Sequence, residues 1–189
     1  MFIENYKEAN ISRSECWIIN ALLKLLKEFP FDVLTITEIC QEADVSRVTF
    51  YRYFDNKEAI LLKYIKILGT DYLAKLQENE NITYELVIHS YFSYWLKEKE
   101  FLIILKNNNL ENLILEEHSI IEKHLNSIEN LNPNFTQNSY SNLEILYVRA
   151  YTFSGLWRIL FLWLSRDFNE SVDIMTEILL KIDKLYTLG

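Results

Sequence analysis

The chain has 189 residues, half of them hydrophobic, with only three Gly and two Pro. This excludes a disordered chain, argues against a β-rich one that needs many tight turns, and bounds the protein to one medium domain or a small domain fused to a larger one. The formal net charge of −8 excludes a broadly basic surface as the means of holding an acidic partner.

The acidity is uneven: residues 1–66 hold 9 Lys+Arg against 10 Asp+Glu, whereas residues 67–189 hold 10 against 17. No apolar run of about 18 residues is present, and residues 1–20 lack a basic segment followed by an apolar one, so a cytoplasmic protein without a membrane segment is expected. Cys16 and Cys40 stand alone with no CxxC spacing, which predicts reduced thiols in the core.

Residues 1–10 are polar and read as a frayed start, with Lys7 and Arg13 as its basic groups. A helix is expected from Ser12, with Glu15 completing a capping box, to about Phe29. Trp17, Ile18, Ala21, Leu22, Leu25, Leu26 and Phe29 form its apolar stripe, and Pro30 ends it.

Residues 35–58 then carry three start signals in succession: Thr35 with Glu38, Ser46 with Thr49, and Asp55 with Glu58. They leave room for two short helices and the start of a third. Ile36, Ile39, Cys40 and Ala43 give the first a buried stripe, and Asp44-Val45 makes the corner. On the second, Val48, Tyr51 and Phe54 alternate with Arg47, Thr49, Arg52 and Tyr53. A small helix packed across another with its polar N-terminal face outward is the geometry that enters a DNA major groove.

The run Ile39-Cys-Gln-Glu-Ala-Asp-Val-Ser-Arg-Val-Thr-Phe-Tyr-Arg-Tyr-Phe-Asp-Asn-Lys-Glu58 resembles the signature of the TetR family of bacterial transcriptional regulators. The resemblance implies that Arg47, Val48, Thr49 and Tyr53 face bases, that Thr35, Thr37, Tyr51 and Arg52 meet phosphate or sugar, and that Lys57 approaches phosphate from the next helix. Arg47 suits guanine O6 and N7, and Val48 a thymine methyl. One position departs from the family pattern: Asp44 stands where Gly is usual and the corner needs positive φ.

From Asp55 a longer helix is expected to about Gln77, with Gly69 inside it as a candidate bend. A helix at 83–97, a short one at 101–106 broken by Asn107-Asn108-Asn109, and another from Leu110 to about Ile128 follow. Residues 129–139 read as a polar loop around Pro133. The stretch 141–164 is apolar nearly all round and predicts a helix buried on nearly all sides. The last helix, about 170–188, carries Val172, Met175, Ile178, Leu179, Ile182 and Leu185 on one stripe. Two such neighbours predict a homodimer joined through a four-helix bundle.

Gly155-Leu-Trp157, Trp163, Phe168 and Ser171 resemble the C-terminal module of a TetR branch found in Gram-positive bacteria. In that family the second module holds a small-molecule effector, and His89, Tyr91, Trp95, Arg149, Tyr151 and Trp157, with Tyr84 and Tyr94, combine aromatic surface with polar tips. His118 and Glu122 lie four apart but lack a third metal ligand. No Gly-rich phosphate loop, paired acids or nucleophile motif supports an enzyme, and no cofactor is expected.

The expected architecture is all-α, with a helix-turn-helix domain over residues 1–54 and an effector and dimerisation domain over 55–189. The expected function is a homodimeric, effector-responsive repressor that binds a palindromic operator in double-stranded DNA. The alternative is a coactivator that keeps the fold and works through a partner protein.

Overall fold

The computed structural model describes residue 3, residues 11–116 and residues 141–187, and every regular element among them is helical. In chain order these are α1 (Arg13–Leu25), a 3-10 turn (Phe31–Val33), α2 (Ile36–Glu42), α3 (Arg47–Tyr53), α4 (Lys57–Gln77), α5 (Tyr84–Lys97), α6 (Lys99–Asn107), α7 (Glu111–Glu116), α8 (Asn142–Ser165) and α9 (Val172–Thr187). The chain divides into two compact units, Met1–Asp71 with Ile104–Glu117 and Tyr72–Ile103 with His118–Gly189.

In the first unit, α1 starts where its capping box requires: Ser12 Oγ accepts from Glu15 N–H, and Glu15 Oε2 accepts from Ser12 N–H at 2.8 Å. Ile18, Ile19, Leu22 and Leu23 are fully buried, and α1 packs against α2 and α3. The helix stops at Leu25 rather than Phe29, continuing only as turns, because Pro30 forces the residue before it out of the helical region. Phe29 is therefore exposed rather than core; Trp17, inside α1, is also exposed, with the Arg13 guanidinium 5.4 Å over its ring. Ile3, expected in a frayed start, is buried and held at both its N–H and C=O by the Asn20 amide.

The caps at Thr35 and Ser46 form as expected, Thr35 in a full capping box with Glu38. The third start differs. Helix α4 begins at Lys57, so its cap is Asn56, whose Oδ1 accepts from Ala59 N–H at 2.8 Å, and the Asp55–Glu58 box is out of register by one residue. Ile60, Leu61, Tyr64, Ile65 and Leu68 are buried along α4, which runs unbroken past Gly69. Both cysteines are free and buried.

Asn109 turns the chain between α6 and α7 with φ of 55°, a left-handed conformation that Asn tolerates better than most residues. The helix expected over 110–128 is described as α7 only, and the loop at 129–139 and the His118/Glu122 pair lie outside the described residues.

The second unit packs α5 against α9. Its core is aromatic: Phe92 meets Trp163 edge-on at 5.5 Å, and Trp157 meets Trp95 at 5.4 Å and Phe161 at 5.1 Å. Helix α8 is not buried on nearly all sides in the single chain. Trp157, Leu160, Phe161, Trp163 and Leu164 are buried, but Leu143, Leu146, Tyr147, Val148, Tyr151 and Leu162 are exposed. On α9, Met175, Thr176 and Leu179 face inward while Ile174 and Ile178 are exposed.

The corner between α8 and α9 brings Trp163, Phe168 and Ser171 together. Asp167 and Phe168 both take positive φ, which brings the Phe168 ring edge-on to Trp163 at 4.9 Å and Phe168 N–H to Trp163 C=O. The Trp163 indole N–H donates to Glu170 C=O, and Ser171 Oγ accepts from Ile174 N–H to start α9. No described helix is long and apolar enough to cross a membrane.

Candidate functional site

The candidate DNA-reading element, called the reader below, is a corner of two seven-residue helices, α2 and α3. Ile39 and Phe50, both fully buried, tie them to α1, and Asp44 turns the chain between them at φ of 51°. The residue that replaces the usual Gly thus adopts the left-handed conformation the corner requires.

The first turn of α3 presents the polar face. Arg47 and Val48 are exposed and Thr49 half-buried, with Val48 at 74% exposure. A valine so exposed contributes nothing to the protomer core, so its methyls remain available to an external apolar group. Arg47 leans along its own helix: Nη2 donates to Tyr51 Oη at 3.4 Å, and its guanidinium lies 5.9 Å from the Tyr51 ring. Tyr51 is 48% exposed and sits edge-on to Phe50, so it stands between core and surface. Arg52 is exposed, and Tyr53 half-buried.

At the start of α2, Thr37 is exposed. Thr35 spends its hydroxyl on Glu38, donating to Oε2 at 2.7 Å, and these bonds hold the Glu38 carboxyl below the usual carboxylate range. Of the acids near this face, Glu42 pairs with Lys24; Asp44 and Asp55 are exposed. Lys57 is half-buried, and its ammonium is directed at the backbone: it donates to Phe31 C=O at 2.6 Å and Leu34 C=O at 3.0 Å, with Asp32 C=O at 3.4 Å.

The expected effector residues separate into two groups. Tyr91, Trp95 and Trp157 meet in one aromatic cluster with Tyr72 and Tyr94: Tyr91 lies 6.4 Å from both Tyr72 and Trp95, and Tyr72 lies 5.5 Å from Tyr94. His89 and Tyr151 are elsewhere. His89 Nε2 is 3.2 Å from Asp173 at the α5–α9 surface, Tyr151 is 71% exposed, and Tyr84 is exposed at the start of α5. The Arg149 side chain lies outside the described residues.

Two tyrosine hydroxyls in the cluster differ in their partners. Tyr72 Oη lies 3.1 Å from Val87 C=O and 3.2 Å from Ser90 Oγ, and burial pushes its pKa up to about 12. Tyr91 Oη is shut off from solvent with no hydrogen-bond partner among the described residues, and burial, then the neighbouring Tyr72, push its pKa up further. Both are neutral donors near neutral pH, and Tyr91 has nothing to donate to.

Sequence reasoning missed Asn56 and Asn108. A closer count of the α4 register finds Asn56. Nothing local signals Asn108, whose Oδ1 accepts from Phe31 N–H across 77 residues of chain at 2.7 Å.

Residues 18–64 match the family model described as bacterial regulatory proteins, tetR family. The chain is 25% identical over 162 residues to a fatty acid metabolism regulator protein of Bacillus subtilis (strain 168), spanning 79% of this chain and 83% of that one. Among solved structures, Lin0861 from Listeria innocua superposes with a TM-score of 0.75 at 14% identity, covering 92% of this chain and 90% of that one. The transcriptional regulator FadR from Bacillus subtilis, solved in complex with stearoyl-CoA, superposes with a TM-score of 0.63 at 21% identity, covering 88% of this chain and 96% of that one.

Proposed function

Because this chain belongs to the TetR family of bacterial regulatory proteins, we propose that it is an effector-responsive repressor that reads a palindromic operator as a homodimer. The observation that carries the reading is the α2–α3 corner, with Arg47 and Val48 exposed on the first turn of α3 and Asp44 in the conformation the turn needs. Arg47, Val48, Thr49 and Tyr53 face bases, and Thr35, Thr37, Tyr51 and Arg52 meet the backbone. The functional division falls at residues 1–54 for reading DNA and 55–189 for the effector and the dimer. A reader seated on an operator denies polymerase the same stretch of DNA, which makes repression the control we assign.

The exposed apolar residues of α8 and α9 support a partner that covers them, since large exposed apolar side chains mark interaction surfaces. A two-fold dimer sets its readers about 34–36 Å apart, one turn of DNA. The effector we propose is a long-chain acyl thioester. The aromatic cluster receives the apolar chain, and Tyr91 donates to the carbonyl. Its binding selects one arrangement of the dimer, and α4, which contributes to both compact units, carries the difference.

The test is titration of the purified protein against its own upstream region and against random DNA as salt is varied, then with stearoyl-CoA or coenzyme A alone. A salt-dependent preference for the upstream region, weakened by stearoyl-CoA only, supports the reading. Equal binding to both DNAs overturns it. Light scattering should give twice the 22.6 kDa chain mass.

One observation favours the coactivator instead: Asp44 and Asp55 place exposed negative charge near the reader. Replacing Arg47 and Thr49 by Ala separates the two. Loss of operator binding supports the repressor, and an unchanged regulatory phenotype supports the coactivator.

A further inference from the structure

The turn that leads into α2 is gripped from two sides. Phe31 is buried, and both polar atoms of its backbone go to side chains distant in sequence: its N–H donates to Asn108 Oδ1 at 2.7 Å and its C=O accepts from Lys57 Nζ at 2.6 Å. Asn108, just past α6, also ties the end of that helix to the end of α1, with Nδ2 2.9 Å from Ile104 C=O and 3.5 Å from Leu26 C=O, both in buried residues. Lys57 reaches Leu34 C=O at 3.0 Å, immediately before the Thr35 cap, and its ammonium stands 4.4 Å from the Phe31 ring centroid.

An ammonium has three protons to donate, and the carbonyls of Phe31, Leu34 and Asp32 all lie within hydrogen-bond reach of it, the first two at 2.6 and 3.0 Å. To reach a phosphate, Lys57 would have to abandon these carbonyls and its place over the Phe31 ring. Stranding a buried polar group costs more than an exposed charge pair returns.

We infer that Lys57 and Asn108 are positioning residues of the reader, clamping the Phe31–Leu34 turn that fixes where α2 starts, and that Lys57 makes no phosphate contact. The inference rests on the DNA-binding reading above. It assigns to residues 104–110 a hold on the reader that no local feature of the reader's sequence reveals.

The test uses the full chain and fluorescence anisotropy, with a duplex selected by the wild type and a scrambled duplex of equal length, from 50 to 200 mM KCl. Lys57→Gln removes the charge but keeps donors for the carbonyls. Removing one side chain that neutralises a phosphate lowers the slope of log K against log salt by about 0.9. Arg52→Gln, the phosphate-binding comparison, removes one such side chain from each protomer of the dimer and should show a drop of about 1.8, twice the single-contact value; Lys57→Gln should leave the slope at the wild-type value. A drop with Lys57→Gln equal to that of Arg52→Gln overturns the phosphate half of the inference.

For the clamp, Asn108→Ala should lower the ratio of selected to scrambled affinity about tenfold, because misalignment harms base recognition and spares the diffuse phosphate attraction. Asn108→Asp, which keeps the acceptor for Phe31 and loses the donor, should fall between and serves if the alanine variant does not fold. A ratio unchanged in the folded variants assigns Asn108 to stability alone and overturns the clamp. If the wild type itself prefers neither duplex, the DNA-binding reading fails first, and that outcome is distinct from both.

Discussion

In the reader, the backbone N–H groups that begin α1, α2 and α3 are met by side chains three residues away, and Glu42 is paired with Lys24. In the second unit the interactions are of another kind. A tyrosine hydroxyl is buried with nothing to bond, an aromatic core is assembled from α5 and α8, and much of the apolar surface of α8 is uncovered. A module whose polar groups are satisfied locally is complete as a single chain. One with a donor unpartnered among the described residues and exposed apolar side chains leaves groups that only an added partner would satisfy.

The difference is tested most forcefully in the reader's core. Phe50 is fully buried and touches Tyr51 and Phe54 edge-on or tilted at 5.4 and 6.0 Å. Phe50→Ala should cost about 3–5 kcal/mol, read by urea denaturation, and should abolish DNA binding because α3 loses its seat on α1. A destabilisation below about 1 kcal/mol would mean that the caps, rather than the packing, hold the corner.

Tyr91→Phe tests the other side. Where a buried hydroxyl has no partner, removing it lifts a desolvation penalty, so the variant should be more stable by about 1–2 kcal/mol in the absence of effector. On the effector reading, the same change should remove most of any thermal stabilisation by stearoyl-CoA. A destabilised variant would show that the hydroxyl is already satisfied in the free protein, and the contrast between the two units would lose its sharpest element.

The two units also differ in how far their residues announced them. The caps at Ser12, Thr35 and Ser46 were readable because capping chemistry acts over three residues. The positive φ at Asp44 was readable through the family resemblance, in which Gly is usual at that corner. The one missed cap, Asn56, was a matter of register within the same kind of signal. By contrast, His89, Tyr91 and Trp95 fall within one helix, and nothing in their spacing tells that His89 turns to Asp173 while Tyr91 turns to Tyr72. Packing partners separated by 84 residues in one case and 19 in the other decide that. Asn108 is the extreme case, since its role exists only once Phe31 has been folded against it.

The smallest effect is expected where the reader departs from its family pattern. Asp44 holds φ of 51°, a conformation that costs an L-residue roughly 1–2 kcal/mol, less for Asp than for most. Asp44→Gly relieves that strain, but Gly gives back about 0.5–1 kcal/mol through the freedom it adds to the unfolded chain. The net expectation is a gain of about 0.5 kcal/mol. Asp44→Ala keeps the Cβ and loses the local tolerance that a short polar side chain provides, so it should lose about 1 kcal/mol, and the opposite signs of the two variants are the check. Both also remove an exposed carboxylate beside the DNA face, so both should bind operator more tightly at low salt, an advantage that shrinks as salt is raised. If Gly and Ala shift stability in the same direction, the corner's conformation is not what Asp44 is constrained by, and its charge becomes the only remaining account of why this position differs.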